Sequence, residues 1–184
     1  MIIRKGTFQD SEQIAAYLLL AMEEITYRFI GNRDRELALR FLVQLVQQKG
    51  NQYSYDNNWV IEDDGKVLAT ALVYDGGRLE ELRIPVAKIV TEQFNREFNP
   101  EDETQEGEYY IDCIGVNPDQ QGKGLGSKII LHLIDEYVSN QGKVLGLLVD
   151  DDNPKAKKLY ERIGFKVVGE KWLMGKQLEH MQIK

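Results

Sequence analysis

The sequence predicts a mixed α/β fold, and three observations carry that reading. Apolar residues recur with helical spacing in five segments and with strand-like patterning in the others. The two kinds of segment interleave in the order β–α–α–β–β–(helix and acidic loop)–β–α–β–α–β–β. No internal repeat, and no linker rich in Pro, Gly or Ser, divides the 184 residues. A chain of this length is expected to form a single domain, 1–184, burying roughly 70% of its unfolded surface without covalent staples.

Each element has its own local reason. Ile2–Lys5 reads as a short strand. Asp10 follows as an N-cap, with Gln13 three residues on completing a capping box. Ile14, Tyr17, Leu18, Ala21, Met22 and Ile25 then mark one helical face. A second helix fits Asp34 to Gln48, with Leu37, Phe41, Leu42, Leu45 and Val46 inward, and Gly50-Asn51 ends it. Asn58–Glu62 and Lys66–Tyr74 read as strands joined by Asp63-Asp64-Gly65, a tight-hairpin signal. Leu82, Val86, Ile89, Val90 and Phe94 predict a helix within 78–98, with Pro85 near its start. From Glu97 to Glu108 there are six acidic residues and no basic one, which predicts an exposed, mobile loop.

The C-terminal part is more regular. Tyr109–Val116 reads as a strand and Asn117-Pro118-Asp119 as a turn. Gly122–Asn140 carries Leu125, Ile129, Ile130, Leu133, Ile134, Tyr137 and Val138 on one face, an amphipathic helix closed by Gln141-Gly142. Lys143–Val149 is apolar enough for a central strand. Asn153 caps the next helix, Pro154 takes its first position, and Gly164 ends it. Phe165–Lys171 and Leu178–Ile183 read as the last two strands.

Composition excludes several classes. The single thiol, Cys113, cannot form an intramolecular disulfide, and nothing calls for an oxidising compartment. The longest apolar runs, such as Tyr17–Met22 and Val144–Val149, are too short to span a bilayer, and no apolar leader follows Met1. A net charge of -7 argues against nucleic acid as a partner. The expectation is a cytoplasmic protein. The charge is nonetheless uneven: residues 1–120 hold 12 basic against 22 acidic side chains, and residues 121–184 hold 11 against 8. A basic excess in that last third suits an anionic ligand, or simply reflects solvated faces.

The segment with most chemical content is Gln121-Gly122-Lys123-Gly124-Leu125-Gly126-Ser127, between a strand and a long helix. Glycines there let backbone approach a bulky ligand, and the free N–H groups of a helix start suit a pyrophosphate. Tight strand–helix packing would use the same residues. The spacing fits neither the Walker A nor the dinucleotide fingerprint. A second segment runs Asn153-Pro154-Lys155-Ala156-Lys157-Lys158-Leu159-Tyr160-Glu161-Arg162-Ile163-Gly164-Phe165.

Together these segments resemble the GNAT N-acetyltransferase superfamily. Gln121-x-x-Gly124-x-Gly126 is similar to its acyl-CoA signature. Asn153, Ala156, Leu159-Tyr160-Glu161 and Gly164-Phe165 are similar to its second helix motif. Ile111–Pro118 resembles the strand that precedes the signature, and the close match covers residues 109–171.

The resemblance implies a mostly antiparallel central sheet, splayed at the fourth strand and flanked by helices. It divides the chain into acceptor-side elements over 1–108, an acyl-CoA-binding core over 109–171 and a C-terminal strand over 172–184. It implies acetyl-CoA as co-substrate and a small-molecule or peptide amine as acceptor. Backbone groups around Ile114, Gly115 and Val116 would pair with the pantetheine arm. Backbone N–H groups of Gln121, Gly122, Lys123, Gly124, Leu125, Gly126 and Ser127 would hold the pyrophosphate. Asn153 would touch the pantetheine, cap its helix, or both.

Tyr160 matches the family's general acid; the alternative is packing beside Leu159 and Ile163. Of the lysines at 123, 128, 155, 157 and 158, Lys123 is the first choice for a phosphate contact. An acceptor amine arrives protonated, so a base is required, and Asp112, on the strand beside the acyl site, is the first candidate. Strand parity places it with Tyr110 and Ile114, opposite Ile111 and Cys113, subject to the bulge the family carries there. Glu108, Glu24 and His180 are weaker candidates, and His132 lies away from the motif. No metal site is implied, since Asp150-Asp151-Asp152 lacks a ligand spacing. Cys113 reads as a buried small hydrophobe.

The acidic first two-thirds favours a cationic acceptor. The alternative function is a non-catalytic acyl-CoA-binding sensor, and a nucleotide-binding domain is a more distant one. The C-terminal edge strands are compatible with a homodimer.

Overall fold

A computed structural model describes residues 1–184. Its strands are β1 (Ile2–Lys5), β2 (Asn58–Asp63), β3 (Lys66–Asp75), β4 (Glu108–Val116), β5 (Val144–Val149), β6 (Lys166–Leu173) and β7 (Lys176–Ile183). Its helices are α1 (Ser11–Ile30), α2 (Arg35–Gln47), α3 (Leu79–Phe94), α4 (Leu125–Leu133) and α5 (Pro154–Ile163). The strands form one sheet in the order β1-β2-β3-β4-β5-β7-β6. All pairings are antiparallel except β4–β5. This is the mixed fold expected, with helices on both faces. One core cluster joins α1, α2 and α3 to the sheet through Leu18, Phe41, Leu72, Val86 and Tyr110. The other joins α4 and α5 through Ile129, Leu133, Ile111, Leu147 and Met181.

The splay is visible in the register. β4 and β5 pair only from Glu108↔Val144 to Ile111↔Leu147. Beyond that β4 stays with β3, while β5 stays with β7 as far as Val149↔Glu179. A gap therefore opens in the middle of the sheet, starting at Asp112.

Several local expectations are corrected. Asp10 does not cap α1. Its carboxylate is taken by Arg4, at 2.7 and 2.9 Å, and closes a capping box with Thr7 around the short turn Phe8–Asp10. Gln13 instead accepts from the backbone N–H of Val67 at 2.8 Å. Pro85 sits inside α3 rather than near its start. An interior proline costs about 3 kcal/mol, which burial of Leu79, Leu82, Val86, Ile89 and Val90 offsets. The helix after the glycine segment begins at Leu125 and passes at Ile134 into a wider π-helical turn that ends at Ser139. The last hairpin is longer than predicted, its turn at Met174-Gly175, both at positive φ.

The largest correction concerns residues 97–108. That segment is not simply an exposed loop: Glu103, Thr104 and Glu108 are buried. Four of its six acids have partners inside the protein. Glu101 accepts from the Met174 N–H at 3.0 Å, Asp102 and Glu103 pair with Arg83, and Glu108 is held by Thr104, His180 and Gln182. Net composition cannot distinguish acids left to solvent from acids paired with residues far away in sequence.

Candidate active site

The glycine segment forms the start of α4. Gly122 and Gly124 have φ of 76° and 78°, which Cβ-bearing residues rarely adopt. Gly124 caps the helix with no side-chain bond, and the first helical bond runs from Lys128 N to Gly124 O at 3.0 Å. The N–H groups of Leu125, Gly126 and Ser127 thus have no carbonyl one turn back. Gly126 is informative in another way. Its φ is not in the left-handed region, and a Cβ added there would meet no atom within 4 Å. Neither backbone strain nor strand–helix packing requires glycine at that position. Gly115 is the opposite case: a Cβ there would lie 2.3 Å from the Tyr17 carbonyl oxygen, so its smallness lets α1 approach β4.

Around this loop, Gln121 donates its N–H weakly to Pro118 O at 3.4 Å, and the exposed Lys123 bonds Gln120 at 2.9 Å. Ile114 and Val116 are half-buried on the diverging part of β4, packed against the α4–α5 cluster. Asn153 accepts from the Ala156 N–H at 3.2 Å and so caps α5. Lys157 is paired with Glu179 at 2.6 Å.

Tyr160 lies half-buried on α5, its ring 6.0 Å from that of Phe165. Burial, with a smaller contribution from nearby Cys113, pushes its phenol above the ordinary value. Burial likewise pushes the Cys113 thiol far up, as expected of an inert packing residue.

The strand departs from simple parity at Asp112. Leu72 pairs with Cys113 and Val73 with Ile111, so Asp112 is the extra residue of a bulge in β4. The bulge puts Tyr110 and Cys113 together in the α1–α3 cluster and leaves Ile111 and Ile114 on the other face. Asp112 is thereby aimed into a cleft of about 430 Å³ on the α1 side. The cleft has Ile25 and Arg28 of α1 on one wall, Leu148 and Asp150 of β5 on another, and Leu173 and Met174 of the β6–β7 turn above. Helix α1 is kinked at Met22, which carries Ile25 and Arg28 around this opening.

The Asp112 carboxylate is held from below. Tyr74 Oη lies 3.0 Å and Gln52 Nε2 3.3 Å from Oδ2, and both donors also reach Glu103 Oε1, at 2.9 and 3.3 Å. Arg83 pairs with the other oxygen of Glu103. Burial, then the negative charge of Glu103, pushes Asp112 up to about 7, against the pull of Tyr74, Gln52 and Arg83.

Gln52, Tyr74, Arg83 and Glu103 were invisible to sequence reasoning, because they lie 9 to 60 residues from Asp112 with no motif linking them. The remaining candidates are placed elsewhere. Glu108 is buried, and although burial opposes it, bonds from His180 (2.8 Å), Thr104 (2.7 Å) and Gln182 (2.7 Å) hold it below the usual carboxylate range. His180 is spent on that contact. Glu24 lines the cleft but is paired with Arg33 at 2.6 Å. His132 stacks edge-on against Trp59 at 4.7 Å on α4. Asp150 and Asp152 face Lys176, at 2.8 and 3.5 Å.

A splayed sheet with a glycine-opened helix start on one face and a carboxylate-floored cleft on the other defines an acyltransferase-like architecture. The chain belongs to the Acetyltransferase (GNAT) family, whose sequence model matches residues 19–165. It is 40% identical over 62 residues to the N-alpha-acetyltransferase RimI of Mycobacterium tuberculosis, covering 34% of this chain and 37% of that protein. It is 37% identical over 67 residues to the mycothiol acetyltransferase of Mycolicibacterium gilvum, covering 34% of this chain and 22% of that one. The matched segments thus span between about a fifth and two-fifths of these curated relatives. Over its whole length the fold is similar to a crystal structure described only as an acetyltransferase: 30% identity, TM-score 0.83, covering 99% of this chain and 98% of that one. No helix here is long and apolar enough to cross a membrane.

Proposed function

We propose that this protein transfers an acetyl group from acetyl-CoA to a primary amine, by direct attack while both substrates are bound. The observation that carries the reading is the placement of its two candidate catalytic groups on opposite faces of the sheet, where β4 and β5 part. Tyr160 packs with the α4–α5 cluster and Asp112 floors the cleft on the α1 side.

The open space beside Gly126 and the free N–H groups of the first turn of α4 suit the pyrophosphate of acetyl-CoA. The diverging edge of β4, with Ile114 and Val116, offers backbone groups to the pantetheine arm. Asp112 takes a proton from the acceptor ammonium, freeing the lone pair that attacks the thioester carbonyl. A base near neutral proton affinity suits this task, because it is both substantially ionised and a competent acceptor at neutral pH. Tyr160 gives its phenolic proton to the departing thiolate and regains one from water. Burial that keeps the phenol protonated suits a donor.

The acceptor is an amine on a small molecule or a peptide. Its cleft is not uniformly acidic: Arg28 and Lys176 line it together with Glu24 and Asp150. The negative composition of residues 1–120 therefore gives less support to a strongly cationic acceptor than it did from sequence alone.

Release of CoA thiol, followed with a panel of amines for wild type and Tyr160→Phe, tests the proposal. Amine-dependent release that falls in the variant supports it. Equal, negligible release in both, with acetyl-CoA still bound, would favour a sensor.

A further inference from the structure

We propose that Glu103 is a positioning residue for this reaction: held by Arg83, it faces Asp112 across the Tyr74 hydroxyl and the Gln52 amide and sets how readily Asp112 takes the acceptor's proton. This rests on Asp112 acting as the base.

The geometry is unusual for two carboxylates. Tyr74 has one proton to give, yet its oxygen lies 2.9 Å from Glu103 Oε1 and 3.0 Å from Asp112 Oδ2. Only one of the two can receive that proton at a time. Arg83 is the nearby cation, and it is committed to Glu103, to the Asp102 carboxylate at 2.8 Å and to the Pro100 and Glu101 carbonyls, at 3.1 and 2.8 Å. It makes no bond to Asp112. The like charge of Glu103 thus acts on Asp112 through buried surroundings, where Coulomb interactions are strong.

The other groups facing Asp112 do not supply that charge. Tyr53, Tyr110 and Cys113 are buried, which pushes each of them up and keeps them neutral at ordinary pH. Across the cleft, Glu24 is paired with Arg33 and Asp150 with Lys176, while Arg28 donates to the Met174 carbonyl at 2.7 Å. Glu103 is the one anion sharing hydrogen-bond donors with Asp112.

The test is a pH titration of the Asp112 carboxyl carbon by NMR in the full chain, with the signal assigned by its loss in Asp112→Asn. Glu103→Gln keeps the shape and removes the charge. Its midpoint should fall by at least about one pH unit from a wild-type value near neutrality. Arg83→Gln should move the midpoint the other way, which keeps the idea testable if one variant folds poorly. An unmoved midpoint in a folded Glu103→Gln protein overturns the proposal. The acidic limb of kcat/KM, read by CoA release with the best amine of the panel, should move down with the titration. If Asp112→Asn leaves that limb intact while the NMR midpoint still moves in Glu103→Gln, the carboxylate pair stands, but Asp112 is not the base and Glu103 loses this role.

Discussion

On the α4–α5 face, the residues assigned to acetyl-CoA and to Tyr160 lie in two contiguous stretches, Gln121–Ser127 and Asn153–Phe165. On the α1–α3 face, the groups around Asp112 come from positions 52, 74, 83 and 103, carried by a loop, β3, α3 and the segment before β4. On the proposed function, the first region recognises with backbone, which a short glycine-rich sequence is enough to specify. The second tunes a side chain by burial and paired charges, which only the assembled fold brings together. The two should therefore respond differently to substitution: one by losing binding or turnover at unchanged stability, the other by shifts in proton affinity and stability.

The largest effect is expected at Tyr160. Tyr160→Phe retains the packing against Phe165 and removes the proton donor, so kcat should drop by about 10²-fold or more with little change in KM for acetyl-CoA. Steady-state CoA release checks this, and equal loss in KM and kcat would point to packing instead. Next come the two glycines. Gly126→Ala fills open space in a helix and should leave stability unchanged or raise it by up to about 1 kcal/mol while weakening acetyl-CoA binding. Gly115→Ala drives a methyl into the Tyr17 carbonyl and should destabilise by about 1–3 kcal/mol. Denaturant melts and calorimetric binding on the same pair separate these outcomes.

Glu108→Ala leaves Thr104, His180 and Gln182 without their shared acceptor and should cost about 2–3 kcal/mol. Because Glu108 is held below its unfolded value, its stabilisation is present above the ordinary carboxylate range and is lost as pH falls through its folded value. Asp112 has the opposite sign. The folded protein binds its proton more tightly than the unfolded chain, so this group makes stability fall as pH rises from about 4 to about 7. Melting temperatures across that window should decline less steeply in Asp112→Asn than in wild type.

The same contrast explains what the sequence made legible. Strand and helix boundaries set by caps, turns and periodicity acting within a few residues were legible, as at Asp34, Asp64-Gly65 and Asn153. Asp10 misled because Arg4 competes for its carboxylate, a preference decided by tertiary contact rather than by helix start chemistry. The 97–108 segment misled for the same reason, on a larger scale: Arg83 and His180 draw its acids inward. Asp112 lies on the Tyr110 side, as strand parity placed it, but Cys113 and Ile114 exchange faces, because a one-residue bulge reverses parity beyond it and leaves no local signal.

The central claim is that the start of α4 is built for acetyl-CoA, and ligand-dependent melting tests it most directly. At 100 times its Kd, a ligand adds about 2.7 kcal/mol, a shift of several degrees for a domain this size. The account predicts that shift with acetyl-CoA, its absence with ATP or NAD, and its reduction in Gly126→Val, whose ligand-free melting is close to wild type. No shift with acetyl-CoA in the wild-type protein, or an undiminished shift in Gly126→Val, would contradict it.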